Sequence, residues 1–460
     1  MSGRIDFTMR FGKHDAPFGQ KRSDQNGYRI YLIGDFSGRS VSFSDSCKIR
    51  SIDIDNFDRV FADVGPVLAM DSGDGLHFAS IDEFHPDAWF KKIPMLSDLL
   101  QLKKELQDPR TAAQAAAKIG AFGRAEAEHG REQPAEATEN RDAMFERLLG
   151  KKSEPRPIEV DTVDKLIAQV VAPHIVKPIE PEQRALIEVV DATLSQLLRA
   201  LLHRPDFQAL EALWRAADSL INNEEASDEQ QFFLVDVGRQ ALLDDLERNS
   251  QAFKQKLLDH LQTGDREQEV LLIGDYRFSE SAEDATLLRF FGDLAKAGQG
   301  CFLGSAGGSL IDTLHSGQSA FRVRYLEGVD TERVILAFPR YLARLPYGEK
   351  REPIESLAFE ECAEIPERHE LLWGNPAFLC ARTLIRGRAG YNNEDSVFIG
   401  DIPVFSFVQD GETVLQPSTE RVLSETQFDA LLSQGITPVM GFRQRQGARI
   451  PVITTLAGVD

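Results

Sequence analysis

The run Tyr28-Arg-Ile-Tyr-Leu-Ile-Gly34 is apolar at nearly every position and ends in the turn Gly34-Asp-Phe-Ser-Gly38. A short apolar run bounded by turn residues predicts a buried strand. After Asp53-Ile-Asp-Asn56 the pattern changes to Phe57, Val60, Phe61 and Val64, a helical spacing that Gly65-Pro66 stops. Leu76 to Ser80 predicts another strand, and the turn Gly73-Asp-Gly75 leads into it. Asp87 to Trp89 and Met95 to Leu106 predict helices, the second burying Leu96, Leu99, Leu100, Leu102 and Leu106. These elements make a small α+β domain over residues 1–122.

From residue 123 to 185 the pattern fades. Arg124 to Arg141 is charged and nearly free of large apolar residues, and Ser153-Glu-Pro-Arg-Pro157 blocks helix continuation. Such a segment cannot bury enough surface to offset its ordering entropy, so it reads as a linker. Two short amphipathic helices are expected in it. One carries Met144, Phe145, Leu148 and Leu149, the other Val163, Leu166, Ile167, Val170 and Val171. The first stripe is the candidate interaction site, either docking into a partner's groove or clipping onto the protein's own surface.

The third region, residues 186–460, opens with a helix over Leu186–Leu202. A second helix carries Phe207, Leu210, Leu213, Trp214, Ala217, Leu220 and Ile221, with Asp206 as its expected N-cap. Strands are predicted at Phe232–Val237, Val270–Ile273 and Cys301–Gly304, alternating with helices at Gln240–Leu261 and Glu283–Ala297. That rhythm implies a parallel, three-layer α/β core, so the fold class is mixed α/β and α+β. The phrases Tyr31-Leu-Ile-Gly-Asp-Phe36 and Leu271-Leu-Ile-Gly-Asp-Tyr276 echo each other and read as two similar strand-to-turn exits.

Composition narrows the chemistry. At 460 residues and 51.4 kDa the chain is too long for one ordinary core. Its 52 Lys and Arg against 73 Asp and Glu give a net charge of −21, which disfavours phosphate backbones and excludes nucleic acid as a general partner. Cys47, Cys301, Cys362 and Cys380 lie far apart, which excludes a disulfide scaffold or zinc ribbon and fits a reducing compartment. The polar start and the lack of a long apolar run lead to the expectation of a soluble, cytoplasmic protein without membrane insertion.

Catalytic signatures are missing. Gly12-Lys13 and Gly150-Lys151 are followed by His14 and Lys152 rather than Ser or Thr, so neither is a phosphate-binding P-loop. Gly304-Ser-Ala-Gly-Gly308 follows a strand but lacks the full dinucleotide fingerprint. A plain turn is preferred there over the alternative, an α/β enzyme holding an anion. The nine histidines are scattered, with no His-Glu-x-x-His, and no Gly-x-Ser-x-Gly elbow occurs. His85 and His203 precede Pro86 and Arg204-Pro205 and read as helix-boundary residues. No catalytic residue, cofactor or metal is therefore expected, and a binding or structural role is favoured.

Leu32-Ile-Gly-Asp-Phe-Ser-Gly-Arg39, Ile54-Asp-Asn-Phe-Asp58, Phe84-His-Pro-Asp87, Ile93-Pro94 and Leu99-Leu-Gln-Leu102 together resemble the small sheath subunit of type VI secretion systems, TssB or VipA. The third region resembles the large sheath subunit, TssC or VipB. Its marks are His203-Arg-Pro-Asp-Phe-Gln-Ala-Leu-Glu-Ala-Leu-Trp-Arg215, Leu272-Ile-Gly-Asp-Tyr276, Phe338-Pro-Arg-Tyr-Leu-Ala-Arg-Leu-Pro-Tyr-Gly348, Leu372-Trp-Gly-Asn375 and Gly435-Ile-Thr-Pro-Val439. The resemblance implies a non-enzymatic structural protein in which both subunit types are fused. It also implies self-assembly or assembly with other sheath subunits, with the Hcp inner tube, baseplate proteins and the ClpV ATPase as further partners. The family's large subunit continues beyond the Gly435–Val439 segment, whereas this chain stops at Asp460, soon after Ile450-Pro-Val-Ile-Thr-Thr455. The expectation that follows is a specialised sheath homologue, with a non-polymerising cap or accessory protein as the alternative. Arg344, Pro346 and Trp373 are expected to be structural, the first two in an apolar, Pro-initiated turn and the third beside Gly374.

Overall fold

A computed structural model of the chain describes residues 27–39, 48–70, 73, 75–108, 110–119, 180–224, 230–248, 252–263, 268–308, 329–388 and 397–457. In chain order the strands are β1 (Tyr28–Gly34), β2 (Ile49–Ile52), β3 (Val67–Leu68), β4 (Leu76–His77), β5 (Gln231–Asp236), β6 (Glu269–Phe278), β7 (Cys301–Ala306) and β8 (Val334–Phe338). They continue with β9 (Tyr341–Leu342), β10 (Trp373–Gly374), β11 (Phe398–Ile399), β12 (Phe405–Gln409), β13 (Glu412–Gln416), β14 (Ile436–Pro438), β15 (Met440–Gly441) and β16 (Ala448–Arg449).

Seven of these strands make one sheet in the order β14-β8-β7-β6-β1-β5-β2. All neighbours run parallel except the edge strand β2, which is antiparallel to β5. The sheet crosses the two regions drawn from sequence. β1 comes from the first region, yet it lies between β5 and β6 of the third, with Ile30 opposite both Phe232 and Leu271. The two echoing phrases are thus neighbours in space, offset by one residue, with Leu32 opposite Ile273.

A strand with partners on both edges and helices on both faces must be apolar throughout, and all seven residues of β1 are buried. Strand geometry sends alternate side chains to opposite faces. Tyr28, Ile30 and Leu32 enter one core with Leu194, Leu213, Trp214 and Phe378. Tyr31 and Ile33 enter the other with Leu242, Leu257, Leu287 and Phe291. The same alternation separates Leu271 and Ile273 from Val270 and Leu272 in β6, and Leu303 from Phe302 in β7. Helices Glu180–Leu202, Pro205–Glu224 and Pro376–Arg388 supply the first core, and Arg239–Glu247, Ala252–Thr263 and Ala282–Ala297 the second. This is the expected three-layer, mixed α/β arrangement. Gly34 sits where a side chain would strike the Leu213 methyl groups, with a Cβ only 2.8 Å away, so the Pro205–Glu224 helix can press onto the end of β1.

Several boundaries differ from expectation for identifiable reasons. The second long helix begins at Pro205, with Asp206 in its first turn rather than at the N-cap. Proline fits the first helical position because its missing N–H is one of those left unpaired there anyway. The helix expected over Gln240–Leu261 is two, Arg239–Glu247 and Ala252–Thr263. β6 runs on to Phe278 because a register irregularity between Ile273 and Arg277 absorbs the Gly274-Asp275 pair. The strand expected over Leu76–Ser80 is short, only Leu76–His77 pairing with β3. Helices Pro86–Lys92 and Pro94–Gln107 form as read; Leu96 and Leu106 are buried, while Leu99, Leu100 and Leu102 pack at the edge of the core. Among the described residues no helix is long and apolar enough to cross a membrane.

Cutting the chain at an engineered protease site near Glu136 should leave the two pieces bound together, because β1 is hydrogen-bonded on both edges inside the later region's sheet. Size-exclusion chromatography of the cut protein should show one peak that separates only in denaturant; independent elution of two folded pieces would contradict the shared sheet.

Candidate functional site

Around β1 a second set of contacts ties the early residues to the later ones. Trp214 is fully buried, its indole N–H donates to the Phe36 carbonyl at 2.9 Å, and Phe36, Phe57 and Phe61 surround it with ring centroids at 4.9, 5.8 and 4.4 Å. Arg29 is buried at the far end of the strand. Its guanidinium donates to the carbonyls of Leu261 and His260, both at 2.9 Å, and to the Tyr31 hydroxyl at 2.6 Å. Those carbonyls lie in the last turn of the Ala252–Thr263 helix, where backbone oxygens lack intrahelical partners and the helix dipole favours a cation. On the opposite side the Asp87 carboxylate accepts the N–H groups of Glu355 at 2.9 Å and Ser356 at 3.2 Å. Lys103 pairs with Asp191 at 2.7 Å, and Arg204 donates to the Ala69 carbonyl at 2.8 Å. His85 caps the Pro86–Lys92 helix, its Nδ1 accepting the Asp87 N–H at 3.3 Å.

A buried ionic cluster lies on the same side of the sheet. Arg344 is 8% exposed and forks onto two carboxylates, Glu211 at 2.7 and 3.2 Å and Glu361 at 2.7 and 3.0 Å. Glu211 also receives Arg215 at 2.8 Å, and Glu361 accepts the Tyr347 N–H at 2.7 Å. Two guanidiniums face two carboxylates, so the cluster is neutral overall. The Arg344 guanidinium lies over the Tyr347 ring, 4.2 Å from its centroid. Burial works against the charge of both acids. At Glu211 the Arg344 and Arg215 charges outweigh it and hold the carboxyl below its ordinary range. At Glu361 burial, with the nearby Glu211 charge, prevails over Arg344 and the Tyr347 N–H and pushes the carboxyl up.

The other residues singled out from sequence fall nearby. Pro346 is buried beside Arg344, at the turn where Tyr347 and Gly348 bridge to Glu352 and Glu360. Trp373 is buried with Leu342, Cys362, Leu371 and Phe405, and its indole N–H donates to the Arg368 carbonyl at 2.7 Å. Met144, Phe145, Leu148 and Leu149 lie outside the described residues, as does the stripe Val163–Val171. Gly304, Ser305 and Ala306, considered as part of an anion-binding turn, lie instead inside the buried strand β7. Sequence reasoning missed Glu211, Glu361 and Arg29. Only the presence of charge inside otherwise apolar phrases signalled them.

Two family models match, in the order of these two sets of residues. Residues 16–121 match the model described as "Type VI secretion system, VipA, VC_A0107 or Hcp2". Residues 184–451, more than half the chain, match that described as "EvpB/VC_A0108, tail sheath N-terminal domain". The chain belongs to the type VI secretion sheath family. It is a fusion of the family's VipA-like and VipB-like regions, and the contacts of β1, Trp214, Arg29, Asp87, Lys103 and Arg204 are the seam between them. A similar protein is the type VI secretion system sheath protein TssC1 of Pseudomonas aeruginosa, 26% identical over 287 residues that cover 56% of this chain. The match takes in 57% of that protein's length.

Two buried polar groups of this sheath-family chain set its response to mutation and to acid. Replacing Arg344 with Met strands the buried Glu361 carboxylate and leaves Glu211 with Arg215 alone, which should cost about 3–5 kcal/mol, and adding Glu361→Gln should recover part of it; urea midpoints of the two variants check this. His203, at the end of the Glu180–Leu202 helix, has a buried Nε2 without a hydrogen-bond partner among the described residues. Burial lowers its pKa to about 4, with Glu370 opposing and His369, Arg344 and Arg199 reinforcing. Because the folded pKa lies below the unfolded value near 6.5, this contribution is full above about pH 6.5 and is lost as pH falls towards 4. The acid-induced loss of melting temperature over that window should be smaller in His203→Asn than in the parent chain; equal losses would remove His203 from the account.

Proposed function

We propose that this chain is a structural building block of a type VI secretion apparatus, a fused sheath protein that assembles with copies of itself or with other sheath subunits. The observation that supports this best is β1, which places the VipA-like region in the middle of the VipB-like sheet. One polypeptide then supplies the paired unit that separate small and large subunits would otherwise form. In this reading residues 1–122 and 186–460 are the two sheath-like parts, joined by 123–185. Arg344, Pro346 and Trp373 hold the shape of the assembling unit and take no part in chemistry. An Hcp inner tube, baseplate proteins and the ClpV ATPase are its further partners, and work is done on the assembly by that ATPase rather than by this chain.

Negative-stain microscopy of the purified protein over a range of concentrations tests the reading, with tubes, rings or curved arrays as the expected result. Dispersed single particles at every concentration, with binding to preformed sheath, would instead support a cap or accessory protein. ATP turnover that persists after removal of contaminating ATPases would overturn the non-enzymatic role.

A further inference from the structure

Against a net charge of −21, the stretch Thr437–Val459 contains three arginines and no acidic residue. The structure gathers those arginines on one small hairpin. β15 and β16 pair with each other, and β16 pairs with β11, which places Arg449 opposite Phe398. The connecting residues Arg443, Gln444, Arg445 and Gln446 are exposed.

The base of this loop is fixed. Gly447 has φ +99° and a Cβ there would lie 2.5 Å from the Ile399 carbonyl, so only glycine fits the turn. Its N–H donates at 3.0 Å to the hydroxyl of the fully buried Ser418, which donates in turn to the Pro403 carbonyl at 3.0 Å. The Arg445 guanidinium stacks over the Phe398 ring, 4.0 Å from its centroid, and lies 5.7 Å from that of Phe442. Among the described residues, Arg443, Arg445 and Arg449 make no ion pair with an acid. Nearby Arg382 and Arg388, by contrast, are matched to Asp401 and Glu269.

Exposed arginines held on a rigid stem lose little side-chain freedom on binding, and a planar fork suits carboxylates. We propose that this hairpin is a contact surface for the acidic face of a second copy of the chain. Charge complementarity selects that occupant, since every other copy carries a net charge of −21 while this patch is basic. The contact joins two different surfaces, so it is heterologous and extends into rings or open arrays rather than closing as a two-fold dimer. The inference rests on the self-assembly proposed above and names its surface.

The test compares the full chain with R443E/R445E/R449E by light scattering and negative stain at low and high salt, after far-UV dichroism and melting temperature have shown that the variant folds. The expected result is a rise of roughly tenfold or more in the protein concentration the variant needs to associate, with the parent's association weakened by salt. A folded variant that associates like the parent overturns the hairpin contact and leaves the sheath reading standing. A parent chain that never associates overturns both. If the triple variant fails to fold, R443E alone, at the loop's exposed tip, should raise the required concentration several-fold, and an unchanged value overturns the contact.

Discussion

Everything else in the molecule depends on one strand being seated between two others. Ile30, Leu32 and Ile33 of β1 are fully buried, and burying three such side chains contributes about 5–9 kcal/mol. A whole domain is commonly stable by only about 5–15 kcal/mol. That net figure is the small difference between such gains and the chain entropy that opposes them, so losing the burial of this one strand is enough to undo the fold. Without it, β5 and β6 would face each other across a gap with their backbone groups unpaired, and the two helical layers would lose the apolar surface they cover. The VipA-like region is thus a structural member of the VipB-like sheet rather than a neighbour docked on its surface.

The polar contacts around that strand settle which arrangement is stable. An apolar strand alone specifies its register weakly, and slipping by one residue would exchange its two faces. Arg29 can reach the Leu261 and His260 carbonyls only in the observed register, and Phe36 can receive the Trp214 N–H only if the strand ends where it does. The Arg344 cluster acts similarly at longer range. A buried ion pair is weak as a source of net stability, since desolvation offsets much of the attraction. Breaking it is costly, however, so Glu211 on one helix and Glu361 in a loop are held together across 133 and 17 residues of sequence from Arg344. Arginine suits this position because its fork reaches both carboxylates at once while its flat face lies on Tyr347.

How much of this was legible follows from which interactions are local. β1, the helix Phe57–Val64 and the alternation from β5 to β7 were readable, because burial on both faces or on one helical stripe leaves a period in the sequence. The insertion of β1 was not, because which strands become neighbours is a long-range choice with no period. The echo between Leu32-Ile-Gly-Asp35 and Leu272-Ile-Gly-Asp275 reflected that neighbourhood without revealing it. The misplaced start at Asp206 shows a local rule overridden by a stronger one, as proline at 205 pre-sets the first turn. The partners of Arg344 were hidden for the same reason as the sheet order, since a glutamate inside an amphipathic helix ordinarily faces solvent.

Fusion changes the physics of pairing rather than its geometry. Two separate chains would need to meet, and the occupied fraction of the β5–β6 gap would fall as either became scarce. Joining them makes the insertion intramolecular, so the pairing no longer depends on concentration and its stoichiometry is fixed at one to one. What remains concentration-dependent is contact between whole units. Such contact has to come from surfaces the seam leaves exposed, and on a chain of charge −21 those surfaces repel one another by default. A localised basic surface on such a unit gives association a defined direction, which is the role proposed for the arginine hairpin.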